Sequence, residues 1–413
     1  MLKYVENETV PPGAAGEEER LLMRKTGIIL RIAAVFALLA LLCSCSARPA
    51  GGEGQDTPAD TAQPEVTQAP ETAEPSAQPD VTAEPEETDA PDVPDAGEDP
   101  GPSAAPEERQ AHYEFRPKVC SVFMDEIYGE TMREAWYALV DAVMAGENTF
   151  ACPDQFTYDW VMGQYPDRCF PVLKEIITYA YDRGNCVHGG VAEFEYLVPP
   201  DEAQRRIADF ASMIEGILNE TLEDGWSDLE KALALYEYVA ENWEYDWVTF
   251  ALTEEGYVEY LSAIRVFDTR TGICQEVSVA YSYLLLQAGV DAGVMSGKRE
   301  YDSVGHQWSY VRMNGRDFHI DATYGMGNGW LCYFMMDDAQ RYAEDCYAAE
   351  NFTITSNYAQ DHPHRDYAAD DDTFSPLWSG TFRELLPDED LIRYTVYGPG
   401  GEEDVLEFSY AGW

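Results

Sequence analysis

The chain has 413 residues, of which 45% are hydrophobic, and its formal net charge at pH 7 is −51. This length and hydrophobic content are sufficient for a large folded domain with additional segments. The strong negative charge excludes binding of nucleic acids or anionic lipids through charge, because those partners are themselves anionic.

The chain begins with a segment that has the pattern of an export signal. An apolar run over 28–42, interrupted by one arginine, has the length of a signal-peptide core rather than of a membrane-spanning helix. A leucine at −3 and a serine at −1 of Cys45 resemble a bacterial lipobox, whereas Cys43 fits less well because a leucine precedes it. We therefore predict a signal segment over 1–45 with Cys45 lipidated, and a protein anchored at the outer side of a bacterial cell membrane. The alternative is an anchor that is never cleaved.

Residues 46–110 have the composition of a disordered linker. The stretch 47–110 contains 12 of the 24 prolines, and 17 acidic residues against two arginines, with no aromatic residue. Such a segment buries too little apolar surface to offset its ordering entropy. At about 3 Å per residue it would reach roughly 200 Å when extended. We predict an acidic tether between the anchor and the folded region.

The folded region is also acidic. Of 26 basic and 77 acidic residues in the chain, residues 1–46 contain five of each and the linker contains two and 17. Residues 111–413 therefore hold 19 basic and 55 acidic residues, which gives a net charge of −36. A solvated acidic surface explains this excess, and a cationic or lysine-bearing substrate is the alternative.

Several patterns predict the elements in the first part of the folded region. Three capping boxes mark helix starts, at Thr131-x-x-Glu134, Asp201-x-x-Gln204 and Ser227-x-x-Glu230. Periodicity predicts a further helix over 171–183 and a strand over 191–198. We therefore predict a mainly helical N-terminal extension over 111–225.

A cysteine opens the next predicted helix. After Gly272-Ile273-Cys274, apolar residues recur at helical spacing until Gly289. Cys274 is thus expected in the first turn, where unpaired N–H groups and the helix dipole favour a thiolate over a thiol. Alone, such a cysteine is more often a small buried hydrophobic residue.

A hairpin follows the cysteine helix. The pair Asn314-Gly315 favours a two-residue type I′ turn, which places Met313 opposite Arg316. Counting back, we expect Val311 opposite Phe318, Trp308 opposite Asp321 and His306 opposite Thr323. His306, Trp308, Tyr310, His319, Asp321 and Thr323 then share one face, and His306 and Asp321 are diagonal neighbours. A type I turn with a bulge at Gly315 would move Asp321 to the other face. The apolar pattern of that other face (Val311, Phe318, Ile320, Ala322) argues against such a bulge.

A thiol, an imidazole and a carboxylate that orients the imidazole are the parts of an activated cysteine nucleophile. The motifs Gly272-Ile273-Cys274, His306-Gln307-Trp308 and Asp321-Ala322-Thr323 together resemble the core of the transglutaminase-like superfamily. The resemblance implies an α+β, papain-like core over 226–345, in which the cysteine helix packs on an antiparallel sheet. It also implies that Cys274, His306 and Asp321 are catalytic. Glu276 and Gln307 depart from the family pattern, and Glu276 is expected to crowd the site or to raise the pKa of the thiol.

The resemblance implies a cysteine-dependent acyl transferase or peptidase that acts on amide bonds through a thioester, by hydrolysis or transamidation, without a metal or organic cofactor. A peptide or protein is the expected substrate, with the cell-wall peptide as one candidate. Trp243, Tyr245 or Trp247 is expected to supply a donor to the oxyanion hole. A non-catalytic wall-binding or adhesion module with the same fold is the alternative. The sequence does not predict the oligomeric state.

The C-terminal extension, 346–413, follows a predicted strand over 330–336 and a helix over 337–348. Phe382 and Leu385 suggest a last helix, and 391–413 has no clear pattern. His362 and His364 lack ligand partners at metal-site spacing, so we interpret them as surface residues. Nine cysteines minus the two of the signal segment leave seven. An odd number fits one free nucleophile, with disulfides permitted among the other six but no pairing predicted.

Overall fold

The computed structural model describes residues 113–180, 185–254, 256–257, 261–301, 304–354 and 367–413. Residues 110–413 form one compact unit. The predicted signal segment 1–45 with Cys45, the linker 46–110, and His362 with His364 lie outside the described residues. No helix in the described ranges is both long enough and apolar enough to cross a membrane.

The N-terminal part combines helices with a small antiparallel sheet. Its helices are α1 (Val122–Tyr128), α2 (Glu130–Ala145), α3 (Gln155–Cys169) and α4 (Leu173–Ile176). Its strands are β1 (Thr149–Ala151), β2 (Ile177–Tyr179), β3 (Val187–His188) and β4 (Val191–Tyr196). They form the order β1-β4-β2, and β3 also pairs with β4. The helix predicted over 171–183 is confirmed only for Leu173–Ile176, because the β-branched and aromatic triplet that follows pairs with β4 as β2.

Two long helices lead to the core, α5 (Pro200–Thr221) and α6 (Asp228–Asn242). The capping box before α6 is confirmed, since the Ser227 hydroxyl accepts from the N–H of Glu230 and the Glu230 carboxylate accepts from the N–H of Ser227. The other two predicted boxes are wrong. The helices α2 and α5 begin before Thr131 and Asp201, after Gly129 and Pro199, which have no side-chain cap.

The core places one buried helix on a sheet. Two short parallel strands pair with each other, β5 (Glu244–Tyr245) and β6 (Thr271–Gly272). Strand β5 is followed by α7 (Trp247–Glu254) and α8 (Ala263–Thr269). Strand β6 is followed by α9 (Cys274–Ala288). The antiparallel sheet has the order β10-β7-β8-β9, with β7 (Asp291–Lys298), β8 (Gly305–Met313), β9 (Arg316–Ile320) and β10 (Thr353–Ile354). Helix α9 packs on β7 and β8. Within this interface, the Ser282 hydroxyl lies 2.9 Å from both the Gly293 carbonyl and the Ser309 hydroxyl. The predicted α+β architecture is confirmed.

The β8–β9 hairpin has the predicted register near its turn. Asn314 and Gly315 both have positive φ, 51° and 73°, as a type I′ turn requires. Met313 pairs with Arg316 and Val311 with Phe318. Beyond Ile320 the prediction is wrong.

Asp321 ends the strand by capping α10 (Ala322–Gly325), so Thr323 is helical and does not face His306 across a ladder. His306 and Trp308 pair instead with Gly297 and Met295 of β7. Gly297 is required there, since a Cβ at this position would lie 2.8 Å from the Trp308 ring.

The C-terminal part contains a helix and a second sheet. Helix α11 (Asp338–Asp345) lies within the range predicted for it. The strand predicted over 330–336 is wrong, because 331–333 forms a 3₁₀ turn. The predicted last helix is also wrong, because Phe382 and Leu385 lie in β11 (Thr381–Leu386). This strand pairs with β12 (Leu391–Tyr397), which pairs with β13 (Glu403–Ser409). Short apolar runs do not distinguish strand from helix by periodicity, which explains both errors.

Candidate active site

Cys274 occupies the position predicted for it. It is the first residue of α9 and is 9% exposed. Strand β6 precedes this residue, and the dipole of the helix that starts here favours negative charge on the thiol. The structure therefore places the thiol at the N-terminus of a buried helix that is fixed on the sheet.

His306 lies near the start of β8, and its side chain is 8% exposed. Aromatic rings surround it, with centroids at 4.9 Å for Tyr324, 5.7 Å for Tyr347 and 5.9 Å for Trp308. These rings restrict the imidazole and exclude water from it. The next residue of β8, Gln307, connects this strand to α9. Its side-chain amide donates to the Ser278 hydroxyl at 2.8 Å and to the Gln275 carbonyl at 3.1 Å.

Asp321 is fully buried and holds the imidazole from the far side. Its Oδ2 lies 2.7 Å from Nε2 of His306, and its Oδ1 accepts from the N–H of Tyr324 at 3.4 Å. Because the carboxylate only accepts, Nε2 donates, and Nδ1 is left for the hydrogen bond between His306 and the Cys274 thiol. The structure thus brings the three predicted site residues together, although Asp321 does so from a helix cap rather than from a strand.

The three groups shift one another's protonation. Burial raises the pKa of Cys274, but the charge of His306, its hydrogen bond and the N–H of Gln307 lower it below the usual value. Burial lowers the pKa of His306, but Asp321 and Cys274 raise it to about 10. Burial raises the pKa of Asp321, and His306 and Arg341 bring it below the usual value. At neutral pH these shifts favour a thiolate, an imidazolium and a carboxylate.

Glu276 does not crowd the thiol as predicted. Its side chain is 1% exposed, and its carboxylate accepts from the N–H of Ile273 at 3.1 Å and from the N–H of Ser262 at 3.3 Å. Arg265 donates to it through two nitrogens and also binds Asp246 at 2.7 Å. The largest influences on the pKa of Cys274 are burial and His306. The unusual residue is therefore a helix cap with its own counter-ion.

The three candidate oxyanion donors differ in their surroundings. Trp243 is 2% exposed and packs into the core against Phe267. Tyr245 lies at the thiol end of β5, where its hydroxyl accepts from the backbone N–H of Cys274. Burial and the nearby Cys274 raise the pKa of Tyr245, so its hydroxyl keeps its proton. Trp247 packs on Tyr245 with ring centroids 4.6 Å apart. Of the three, Tyr245 is the residue placed at the Cys274 N–H.

One further group near the site was not predicted. Arg341 of α11 donates from Nη1 to Oδ2 of Asp321 at 2.9 Å, and nothing in the acidic sequence around it signals this contact. His319 lies on the face predicted for it, next to Trp308 and opposite Tyr310. Its Nδ1 accepts from Trp308 Nε1 at 2.9 Å and its Nε2 donates to Asp338 at 2.8 Å. Burial lowers the pKa of His319, so it is a neutral support for Trp308.

In the part of the chain that the structure covers, no cluster of His, Cys, Asp and Glu is arranged to hold a metal ion. The seven described cysteines are all free thiols.

Part of this core matches the model of a known protein family. Residues 216–333, which include Cys274, His306 and Asp321, match the family model of the transglutaminase-like superfamily. None of the curated proteins matches the chain. The predicted transglutaminase-like fold is thus confirmed for the core.

Three solved structures illustrate the likeness. A TGase is 22% identical, over 29% of this chain and 33% of its own, with a TM-score of 0.27. A candidate cysteine protease from Cytophaga hutchinsonii is 17% identical, over 30% of this chain and 39% of its own, with a TM-score of 0.21. An arylamine N-acetyltransferase from Bacillus cereus with a Cys-His-Glu catalytic triad is 14% identical, over 49% of this chain and 93% of its own, with a TM-score of 0.25. The chain spans about a third of the length of the first two.

Proposed function

We propose that this protein is a cysteine enzyme of transglutaminase-like type, which acts on amide bonds of peptides or proteins. The observation that carries the proposal is the hydrogen-bonded series from Cys274 through His306 to Asp321 at the start of a buried helix. A structural cysteine needs neither a basic partner nor a carboxylate behind that partner. The lowered pKa of Cys274 agrees with a nucleophilic role.

The proposed reaction has two halves. The Cys274 thiolate attacks the amide carbonyl, and the oxyanion that forms is stabilised by the hydroxyl of Tyr245 and by the N–H of Cys274, which exchanges that hydroxyl for the oxyanion as its acceptor. The imidazolium of His306 then gives its proton to the leaving amine as the C–N bond breaks, which leaves a thioester on Cys274. In the second half, His306 takes a proton from water or from an amine, which attacks the thioester and releases the thiolate. Asp321 keeps the imidazole in the required tautomer and stabilises its cation.

The identity of the acceptor distinguishes hydrolysis from transamidation. The purified protein would be incubated with casein or with peptidoglycan peptides, with and without a fluorescent alkylamine. We expect a mass increase on Cys274 from the thioester, followed by either a cleaved peptide or incorporation of the amine. Cys274→Ala and His306→Ala serve as controls. Turnover by Cys274→Ala equal to that of the wild type would refute the proposal.

The alternative of a non-catalytic module depended on Glu276. Since its carboxylate is bound by Arg265 and by backbone N–H groups, it does not obstruct the thiol. No observation at this site favours the alternative over the enzyme.

We also propose that the enzyme is exported and held at the outer face of the cell membrane by a lipid on Cys45, with the linker 46–110 as a tether. The support is the apolar run, the lipobox-like residues before Cys45 and the proline-rich acidic composition. A tether of roughly 200 Å would give access to cell-wall peptides as substrates.

A further inference from the structure

A second cation is buried behind the proposed catalytic residues. Arg341 of α11 and Asp321 both have fully buried side chains, and Nη1 of Arg341 donates to Oδ2 of Asp321 at 2.9 Å. The same oxygen accepts from His306 at 2.7 Å. The other terminal nitrogen, Nη2, donates to Asp345, one turn further along α11. One carboxylate oxygen is therefore shared by two cations, and one of those cations has a second anion of its own.

The two cations occupy one aromatic enclosure. The guanidinium carbon of Arg341 lies 4.7 Å from the ring centroid of Tyr347, 5.1 Å from that of Trp308 and 5.8 Å from that of Tyr324. These are the same three rings that surround the imidazole of His306. Such rings attract cations and exclude water, so charges inside the enclosure act on one another with little screening.

Packing alone does not account for Arg341. Its Nε is buried and has no hydrogen-bond partner among the described residues. A buried guanidinium with an unpaired donor is less favourable for stability than an apolar side chain of similar volume. The position of this charge, directly against the carboxylate that orients His306, is what distinguishes it from an ordinary core residue.

We propose that Arg341 is a positioning residue of the active site, which holds the Asp321 carboxylate against His306 and, balanced by Asp345, sets the electrostatic potential at the Cys274–His306 pair. This inference rests on the proposed function. The planar guanidinium fixes the position of Oδ2, so the carboxylate cannot rotate away when His306 releases its proton to the leaving amine. Its charge also keeps Asp321 anionic at that moment.

The groups around the pair come from several elements. The tyrosines are Tyr245 of β5, Tyr324 of α10, and Tyr333 and Tyr347 outside these elements. The other groups are Cys274 of α9, Arg341 and Asp345 of α11, and Arg299, which directly follows β7. Arg299 acts on Asp345 and on Tyr347. Burial raises the pKa of each tyrosine, so these hydroxyls remain neutral. Arg341 binds Asp321 and Asp345 binds Arg341, and neither is one of the three proposed catalytic residues, so these two charges are the ones to remove.

Removal of the charge of Arg341 and removal of the charge of Asp345 should shift the pKa values of Cys274 and His306 in opposite directions. Without the cation of Arg341, both the thiolate and the deprotonation of the imidazolium become less favourable, so the pKa values of Cys274 and His306 rise. Without the anion of Asp345, the charge of Arg341 is uncompensated and both pKa values fall. A purely structural role would reduce reactivity in both variants without moving the pH dependence in opposite directions.

The experiment measures the rate of Cys274 alkylation by iodoacetamide from pH 4 to 11, by peptide mass spectrometry on the full protein. Variants are Arg341→Met, Arg341→Lys and Asp345→Asn, with circular dichroism as the folding control. Arg312→Met is the matched control, because Arg312 is a paired arginine in the part of β8 near the turn, bound to Asp317 at 2.6 Å and 2.8 Å.

We expect the midpoints of the profile to move to higher pH by about one unit in Arg341→Met. They should move to lower pH in Asp345→Asn, return toward the wild type in Arg341→Lys, and stay unchanged in Arg312→Met. If Arg341→Met does not fold, the inference is tested by the directions in which the alkylation midpoints shift in Asp345→Asn and Arg341→Lys. Unmoved midpoints in folded variants, or shifts of the same sign for Arg341→Met and Asp345→Asn, overturn the inference. If Cys274 of the wild type is no more reactive than an ordinary thiol, the proposed function fails instead.

Discussion

Asp321 accepts a 2.7 Å hydrogen bond from Nε2 of His306, although the two residues are not neighbours on a β-ladder. Strand β9 ends at Ile320, and Asp321 caps the short helix α10 with the same carboxylate that binds the imidazole. The cap fixes the backbone of Asp321, and Arg341 fixes its second oxygen. The imidazole is therefore oriented by a carboxylate with little freedom to move.

Asp321→Asn is expected to abolish activity while keeping the fold. An asparagine oxygen can still cap α10. The fully buried Arg341 loses one of its two anions and keeps Asp345, so the stability loss should be about 3 kcal/mol. Its amide cannot serve as anion to the imidazolium and favours the wrong tautomer, so turnover should fall by about 10³–10⁴-fold. The measurement is the rate with one peptide substrate, or the alkylation rate of Cys274, with circular dichroism as the folding control.

Asp317→Asn is the matched control for this variant. Asp317 binds Arg312 near the turn and makes no contact with His306. Loss of its charged hydrogen bonds should cost about 1–3 kcal/mol of stability and leave alkylation of Cys274 unchanged. If the Asp317 variant is the inactive one, or if both variants behave alike, Asp321 does not orient the base.

Cys274 is expected to alkylate faster than the other described cysteines at neutral pH. Its pKa is lowered by His306 and by the N–H of Gln307 against the effect of burial. A hydrogen bond with Cys169, with burial second, raises the pKa of Cys120 well above the usual value, and burial raises that of Cys152 to about 11. Peptide mass spectrometry after brief iodoacetamide treatment measures the order of labelling.

The base is tested by His306→Ala in the same assay. This variant removes the partner that lowers the pKa of the thiol, so labelling of Cys274 should slow by at least about tenfold at pH 7. Labelling of Cys120 or Cys152 before Cys274 in the folded wild-type protein would contradict the assignment of the nucleophile.

Local signals in the sequence account for the parts of the site that were predicted. The apolar stripe after Cys274 and the Asn314-Gly315 pair are short-range patterns, and both determine local structure directly. They placed the thiol at a helix start and gave the hairpin register near the turn. The contact between His306 and Asp321 was expected for the wrong geometric reason, since an aspartate that ends a strand as a helix cap looks like a strand residue in the sequence.

Tertiary contacts account for the parts that were missed. Arg341 reaches Asp321 only because α11 packs against the hairpin, and its own sequence neighbourhood is acidic and unremarkable for a surface helix. Tyr245 differs from Trp243 and Trp247 only in where β5 places it relative to α9. Neither contact has a periodicity or spacing that a single sequence reveals.

The charged pair predicts how stability depends on pH. The pKa of His306 is raised from 6.5 to about 10, so its contribution to the free energy of unfolding is present below pH 6.5 and is lost as the pH rises to about 10. The pKa of Cys274 lies below 9.0, so its contribution is present above pH 9.0 and is lost as the pH falls through the folded value. Between the folded pKa of Cys274 and pH 9, the folded protein holds one proton on His306 and the unfolded chain holds one on Cys274, so in that range the two dependences oppose each other.

This dependence is measured by urea unfolding of the wild type and of a Cys274→Ala/His306→Ala double variant between pH 5 and pH 10.5. The difference in the free energy of unfolding should decrease as the pH rises above 9, where the unfolded chain loses its thiol proton and the folded protein keeps the imidazolium. It should also decrease at acidic pH, below both the folded pKa of Cys274 and the unfolded pKa of His306. A difference that increases above pH 9 would show that the folded protein does not hold an imidazolium there.

The anchor is tested by the mass of the mature N-terminus. We expect a protein that begins at Cys45, carries a lipid and partitions with membranes, since the lipobox-like residues direct cleavage before that cysteine. Cys45→Ser should release the protein from the membrane fraction, and Cys43→Ser is the control. A mature protein with a free amine at residue 47 or later, and without a lipid, would exclude the lipoprotein assignment.

Glu276→Gln is expected to lower the stability of the fold and to leave the pH dependence of Cys274 alkylation unchanged. The carboxylate is held by the N–H of Ile273 at 3.1 Å and by Arg265, which also binds Asp246. The glutamine keeps a hydrogen-bond acceptor for Ile273 but loses the ion pair with Arg265. Arg265→Met leaves the buried carboxylate without its cation and should cost more, about 3 kcal/mol of stability.

Both variants are compared with the wild type by urea unfolding and by the alkylation profile of Cys274. Unmoved midpoints with reduced stability would establish that the glutamate acts on the fold and not on the thiol. If Glu276→Gln instead lowers the apparent pKa of Cys274 by about one unit, the carboxylate does act on the nucleophile. In that case Glu276 hinders formation of the thiolate, and the non-catalytic alternative regains its support.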